Sequence, residues 1–100
     1  MGTMRWRPFS LHRFVVRYLC ADIHPSALKH GVDPDDIENA MRNALAVDDL
    51  DEDDLRLYIG PATDAALLEV ISIERAGDEP ELVIHAMPLR PKYRKLLTGE

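Results

Sequence analysis

The sequence is poor in cysteine and glycine and has no long apolar run, and each shortage removes a class of protein. One cysteine, Cys20, cannot form an internal disulfide, so nothing implies an oxidising compartment. Five glycines are scattered along 100 residues, none in a phosphate-cradling loop, and neither CxxC nor HExxH occurs. No apolar stretch approaches the ~18 residues that a membrane span needs. Arg13 and Arg17 break up the one region that resembles a leader peptide. Cys20, His24 and His30 match no common zinc spacing and lack a fourth ligand. The acidic run Asp48–Asp54 has neither the glycine nor the terminal glutamate of a calcium loop. No metal, cofactor or membrane is therefore expected.

What is present suits one small globular domain. Apolar residues make up 46% of the chain and charged residues 30%, a mix that excludes wholesale disorder. A chain of this size buries roughly 65% of its unfolded surface, enough for one thin core. These features predict a cytoplasmic protein.

The formal charge of −6 is unevenly spread. Residues 1–31 hold five basic side chains (Arg5, Arg7, Arg13, Arg17, Lys29) and one acidic, Asp22. Residues 32–84 hold sixteen acidic side chains and three basic, Arg42, Arg56 and Arg75. The end of the chain is basic again, with Arg90, Lys92, Arg94 and Lys95 against Glu100. An acidic average opposes indiscriminate nucleic-acid binding but leaves room for a local basic site.

Residues 1–23 differ in composition from the rest of the chain and are expected to be a basic arm that need not belong to the core. The readings that fit are an amphipathic arm, a first strand or helix of the fold, or upstream sequence translated from a misassigned start. Deleting residues 1–20 should accordingly leave folding intact. The domain proper is expected over 24–100. Pro25 and Gly31 bracket a first short helix. Asp33 caps a second, with Pro34 in its first turn and a stripe of Ile37, Ala40, Met41, Ala44 and Leu45. The period then becomes that of strands: Leu45–Val47, Leu55–Ile59, Ala65–Glu74 and Leu82–Met87, separated by short turns that favour antiparallel neighbours. A short helix is expected over Lys92–Leu97. The fold class is thus α+β, with two N-terminal helices on an antiparallel meander of about four strands and a short C-terminal helix.

Two charged clusters stand out. The carboxylate run at 48–54 reads as a solvated hairpin tip that repels nucleic acid and attracts basic partners. The C-terminal cluster His85, Arg90, Lys92, Tyr93, Arg94 and Lys95 has the side-chain types of metal-free RNA cleavage. Histidine changes charge near neutral pH, arginine grips phosphate oxygens, and tyrosine can stack on a base. A solvated basic tail has the same composition.

Five segments in order carry a family resemblance: His24-Pro-Ser-Ala-Leu-Lys-His-Gly-Val32, the helix at 33–45, Tyr58-Ile-Gly60, Leu67-Leu-Glu-Val70 and Val83-Ile-His-Ala-Met-Pro-Leu-Arg90. Together they resemble the small bacterial toxins of the BrnT type over about residues 24–95. The resemblance implies a RelE-like fold, ribonuclease activity, and neutralisation by a small DNA-binding antitoxin. It sets Lys29 and His30 on the family's lysine–histidine pair and Arg90 on its late arginine. His85 stands where the family more often has a small hydroxylated residue, so its assignment rests on chemistry alone. The expected catalytic set is His85, Arg90, Lys29 and Tyr93, with His30, Lys92, Arg94 and Lys95 contacting RNA. The competing expectation is a non-catalytic interaction domain of the same fold that binds a small protein partner.

Overall fold

The structure is a computed structural model that describes residues 16–17, 21–50, 54–77 and 79–98. Most of the basic arm (1–15 and 18–20) and residues 51–53 of the acidic run lie outside the described residues. The elements are β1 (Val16–Arg17), β2 (Ala21–Ile23), a 3-10 turn (Pro25–Leu28), α1 (Pro34–Arg42), β3 (Ala46–Asp49), β4 (Leu55–Pro61), β5 (Leu67–Ile73), β6 (Glu81–Pro88) and α2 (Pro91–Thr98). They form an α+β fold around one sheet, ordered β1-β2-β6-β5-β4-β3.

Strands β3 to β6 make the expected antiparallel meander. The sheet is nevertheless mixed, because β2 runs parallel to β6, with Ile23 opposite Val83. It has five strands of three or more residues, extended by the two-residue β1, rather than about four. Ala21 and Ile23, at the end of the stretch 1–23, are each 2% exposed and belong to the core.

The first of the two expected helices is a single 3-10 turn. Between the cap at His24 and Gly31, whose φ is +81°, the main chain closes i→i−3 bonds, Ala27 to His24 at 2.8 Å and Gly31 to Leu28 at 3.0 Å. His24 Nδ1 accepts the Ser26 amide at 3.0 Å, and Ser26 Oγ donates to the Ile84 carbonyl at 3.0 Å. The turn thereby drives Ala27, fully buried, into the core.

Helix α1 follows its sequence signals closely. Asp33 Oδ1 accepts the Asp35 amide at 2.9 Å, and Ile37, Ala40 and Met41 form the buried stripe. The stripe stops there, because the helix ends at Arg42 and Leu45 donates its amide to the Ile59 carbonyl at 2.7 Å. Leu45 is 64% exposed rather than buried. Asp36 Oδ1 anchors the helix to the turn after β4, accepting the Thr63 amide and hydroxyl at 2.9 and 2.6 Å. Those two bonds hold the Asp36 carboxyl below its ordinary range.

The core lies between this helix layer and one sheet face, joining Ile23, Ala27, Ile37, Ala40, Leu68, Val70, Val83 and Ala86. On the other face Leu57 and Ile59 are also fully buried. A bulge in β6 decides which residues face which way. Ile71 pairs with His85 but Ser72 pairs with Val83, so Ile84 is the extra residue. Val83 and Ala86 both enter the core, and His85 turns to the opposite face with Ile71 and Glu69.

Two substitutions test this packing in opposite directions. A Cβ on Gly60 would run into the Ala40 carbonyl, so Gly60→Ala should cost about 3 kcal/mol in denaturant unfolding, at the upper end for overpacking. Ala65 has φ +74°, a conformation that costs a residue with a Cβ roughly 1–2 kcal/mol. Replacing it by glycine adds back roughly 0.4–1 kcal/mol of unfolded-state entropy. Ala65→Gly should therefore raise stability by about 0.5 kcal/mol.

Candidate functional site

The chemistry-bearing residues meet around a carboxylate in the middle of β5. Glu69 lies between Leu68 and Val70 and is fully buried. Its side chain leaves the sheet on the face opposite α1, beside His85 of β6. His85 Nε2 donates to Glu69 Oε2 at 2.9 Å. Arg90, in the bend between β6 and α2, gives three hydrogen bonds to the same side chain. Its amide reaches Oε1 at 2.9 Å, and its Nε and Nη2 reach Oε2 at 2.9 and 2.6 Å. The Leu89 amide donates to the Leu67 carbonyl at 3.0 Å and extends the ladder to the edge of that bend.

Further groups surround this centre. The His30 ring stands edge-on to His85, with centroids 5.7 Å apart and planes at 74°. The Arg90 guanidinium carbon lies 5.8 Å from the Tyr93 ring centroid, and Lys92 Nζ lies 4.9 Å from it, both within cation–π range. The fold thus gathers His85, Arg90, His30, Tyr93 and Lys92. Lys29 is exposed at the end of the 3-10 turn next to His30, and Arg94 and Lys95 are exposed on α2; these three lie outside the network of carboxylate and ring contacts.

Glu69 is the member that the sequence reading missed. A carboxylate inside an otherwise apolar strand must find a cation or donors, and the next strand supplies a histidine and an arginine at its end. Burial pushes the Glu69 carboxyl up, but hydrogen bonds from the Arg90 side chain, His85 and the Arg90 amide outweigh it and hold the group below its ordinary value. The carboxylate is therefore the stable form at neutral pH. Bonded to an ionised acceptor, His85 carries its proton on Nε2 and presents Nδ1 as the basic nitrogen. With side-chain exposures of 21% and 39%, His85 and Arg90 are reachable from solvent.

A second polar cluster lies on the helix-covered face. Tyr58 donates to both Glu81 oxygens at 2.8 and 2.9 Å, Ser72 donates to the same carboxylate, and Arg56 stands 3.6 Å from it. Burial, followed by the Glu81 contact, pushes the Tyr58 hydroxyl up to about 12. Its donors are turned toward Glu81, so this cluster cross-links β4, β5 and β6. Among the described residues no group of His, Cys, Asp and Glu is arranged to hold a metal ion, and no helix is long and apolar enough to cross a membrane. Comparisons with protein-family models, characterised proteins and solved structures find no significant match to this chain.

The lowered Glu69 pKa has a sign that can be checked. Its contribution to stability is complete above the ordinary glutamate value of 4.5 and is lost as pH falls through the lower folded value. In urea unfolding between pH 6 and pH 3, Glu69→Gln should show a shallower loss of stability than the parent. Arg90→Ala should destabilise the neutral-pH fold more than Glu69→Gln does. The first leaves a buried charge without its guanidinium, whereas the second leaves the Arg90 guanidinium, which water can reach.

Proposed function

We propose that this chain is a metal-independent endoribonuclease, a toxin of the BrnT type within the RelE-like class, restrained by a small DNA-binding antitoxin in the cytoplasm. The observation that supports the reading is the Glu69 carboxylate, which holds an imidazole and a guanidinium side by side at an accessible surface, with a second imidazole against the first.

Each residue then has a task. Glu69 orients His85 through Nε2 and fixes its tautomer, as a buried carboxylate does for a catalytic histidine elsewhere. His85 Nδ1 takes the proton from an RNA 2′-hydroxyl. The 2′-oxygen attacks the neighbouring phosphorus, the bond to the 5′-oxygen breaks, and a 2′,3′-cyclic phosphate remains. Arg90 uses Nη1, the nitrogen outside the Glu69 grip, to offset charge on the phosphoryl oxygens. His30 gives the 5′-oxygen its proton, with Lys29 beside it supporting that charge transfer. Tyr93 stacks on a base, while Lys92, Arg94 and Lys95 attract the strand. The alternative, a non-catalytic domain that binds a small protein partner, draws support from the outer edge of β3, which pairs with no other strand among the described residues.

The test is cleavage of an RNA oligonucleotide in chelator-containing buffer, with the 2′-deoxy strand as control, alongside growth after induced expression. His85→Gln keeps a donor for Glu69 and should lower cleavage by at least ~100-fold. Arg90→Lys, which keeps a cation beside Glu69, should also cleave poorly while remaining folded. Parental protein that neither cleaves RNA nor arrests growth would overturn the ribonuclease reading in favour of the interaction domain.

A further inference from the structure

Three large apolar side chains are exposed among the described residues, and the two most exposed, Leu45 at 64% and Val47 at 54%, sit at the start of β3. This strand is the outermost of its side of the sheet. The Leu50 amide donates to the Leu55 carbonyl at 3.0 Å, and main-chain groups alternate along an antiparallel pair. Ala46 and Asp48 therefore direct their amides and carbonyls toward β4, and Val47 and Asp49 direct theirs outward. Among the described residues, the outer side of β3 is a short, unpaired hydrogen-bonding edge flanked by exposed apolar side chains.

Charge selects what such an edge can accept. Asp48 and Asp49 are exposed on the strand itself, and the sequence continues through Asp51, Glu52, Asp53 and Asp54. Arg56, 3.1 Å from Asp49, offsets one of these charges and also reaches toward Glu81. Pairing two copies through β3 would gather two aspartates from each into one four-residue ladder, a like-charge arrangement that disfavours self-association. An acidic partner strand meets the same repulsion.

The geometry points to β3 as a strand-addition site for an extended segment of a partner protein in which apolar residues alternate with lysine or arginine. The main chain of Val47 and Asp49 supplies the hydrogen bonds, Leu45 and Val47 meet the partner's apolar side chains, and the aspartates meet its cations. This site lies at the opposite side of the sheet order from β2 and is independent of the ribonuclease reading.

The experiment uses the full chain and a nine-residue peptide of alternating valine and lysine, blocked at both ends. Two control peptides replace lysine by glutamate or methylate the backbone nitrogens. Binding is followed by fluorescence anisotropy and by amide exchange. The valine–lysine peptide should bind, slow exchange at Val47 and Asp49, and lose about tenfold in affinity between 0.1 and 1 M salt, as the Debye length falls from ~10 to ~3 Å. Val47→Pro removes the outward amide without removing a bond to β4 and should abolish binding. Val47→Lys, which keeps every main-chain group, should weaken binding at least ~10-fold by charge repulsion and secures the test if the proline variant fails to fold. Undiminished binding of the N-methylated peptide would overturn strand addition, and equal binding of the glutamate peptide would overturn the charge selection. Concentration-dependent dimers protected at Val47 without any peptide would make a second copy the occupant and overturn the proposal.

Discussion

An ionised carboxylate inside a protein has to be met by donors, and Glu69 is met by four of them from two other places in the chain. Because Arg90 contributes its amide as well as its guanidinium, the contact constrains the backbone at the end of β6 and with it the direction in which α2 departs. Tyr93 and Lys92 are then carried to the same surface as His85. The cost of a buried charge is what makes the arrangement specific: any register that moved Arg90 away would leave Glu69 uncompensated. One side chain in β5 thus determines where the basic C-terminal cluster lies.

The two faces of the sheet divide the work. On the helix side, Gly60 lets α1 rest against β4, and the Asp36–Thr63 and Asn39–Pro61 hydrogen bonds secure the helix at its polar margin. On the other side, the polar groups gather near one end of the β5–β6 pair. The β6 bulge connects the two, since a single extra residue lets Val83 and Ala86 fill the core while His85 faces away from it.

Local signals in the sequence were sufficient for much of this fold. The cap, proline and apolar stripe of α1 are nearest-neighbour effects, and alternation with short turns describes a meander well. Features that depend on distant partners were hidden. Nothing in Ala21-Asp-Ile23 indicates a strand parallel to β6, because three residues carry almost no period. Pro25–Leu28 has helix punctuation, yet its main chain takes the tighter 3-10 bonding, and Ser26 bonds to the distant Ile84 carbonyl. Leu45 continues the helical spacing, yet the ladder to Ile59 claims its amide. At the site, histidine and arginine were visible as reactive types near one another in sequence, and the resemblance brought Lys29 and His30 to notice. Glu69 was not, because its meaning lies in a cross-strand register that a bulge shifts by one residue.

The pairing of β2 with β6 also has a temporal side. Strands β3 to β6 are joined by short connections, so each can find its neighbour by closing a small loop. Ile23 must instead find Val83 across most of the chain, and a parallel ladder of three residues gives little in return for that loop closure. The meander is therefore the part that forms early, and β2 docks onto an edge that already exists. Until β6 is in place, β2 has only the two-residue β1 to pair with, so the residues that close this side of the core are the ones whose native pairing is completed last.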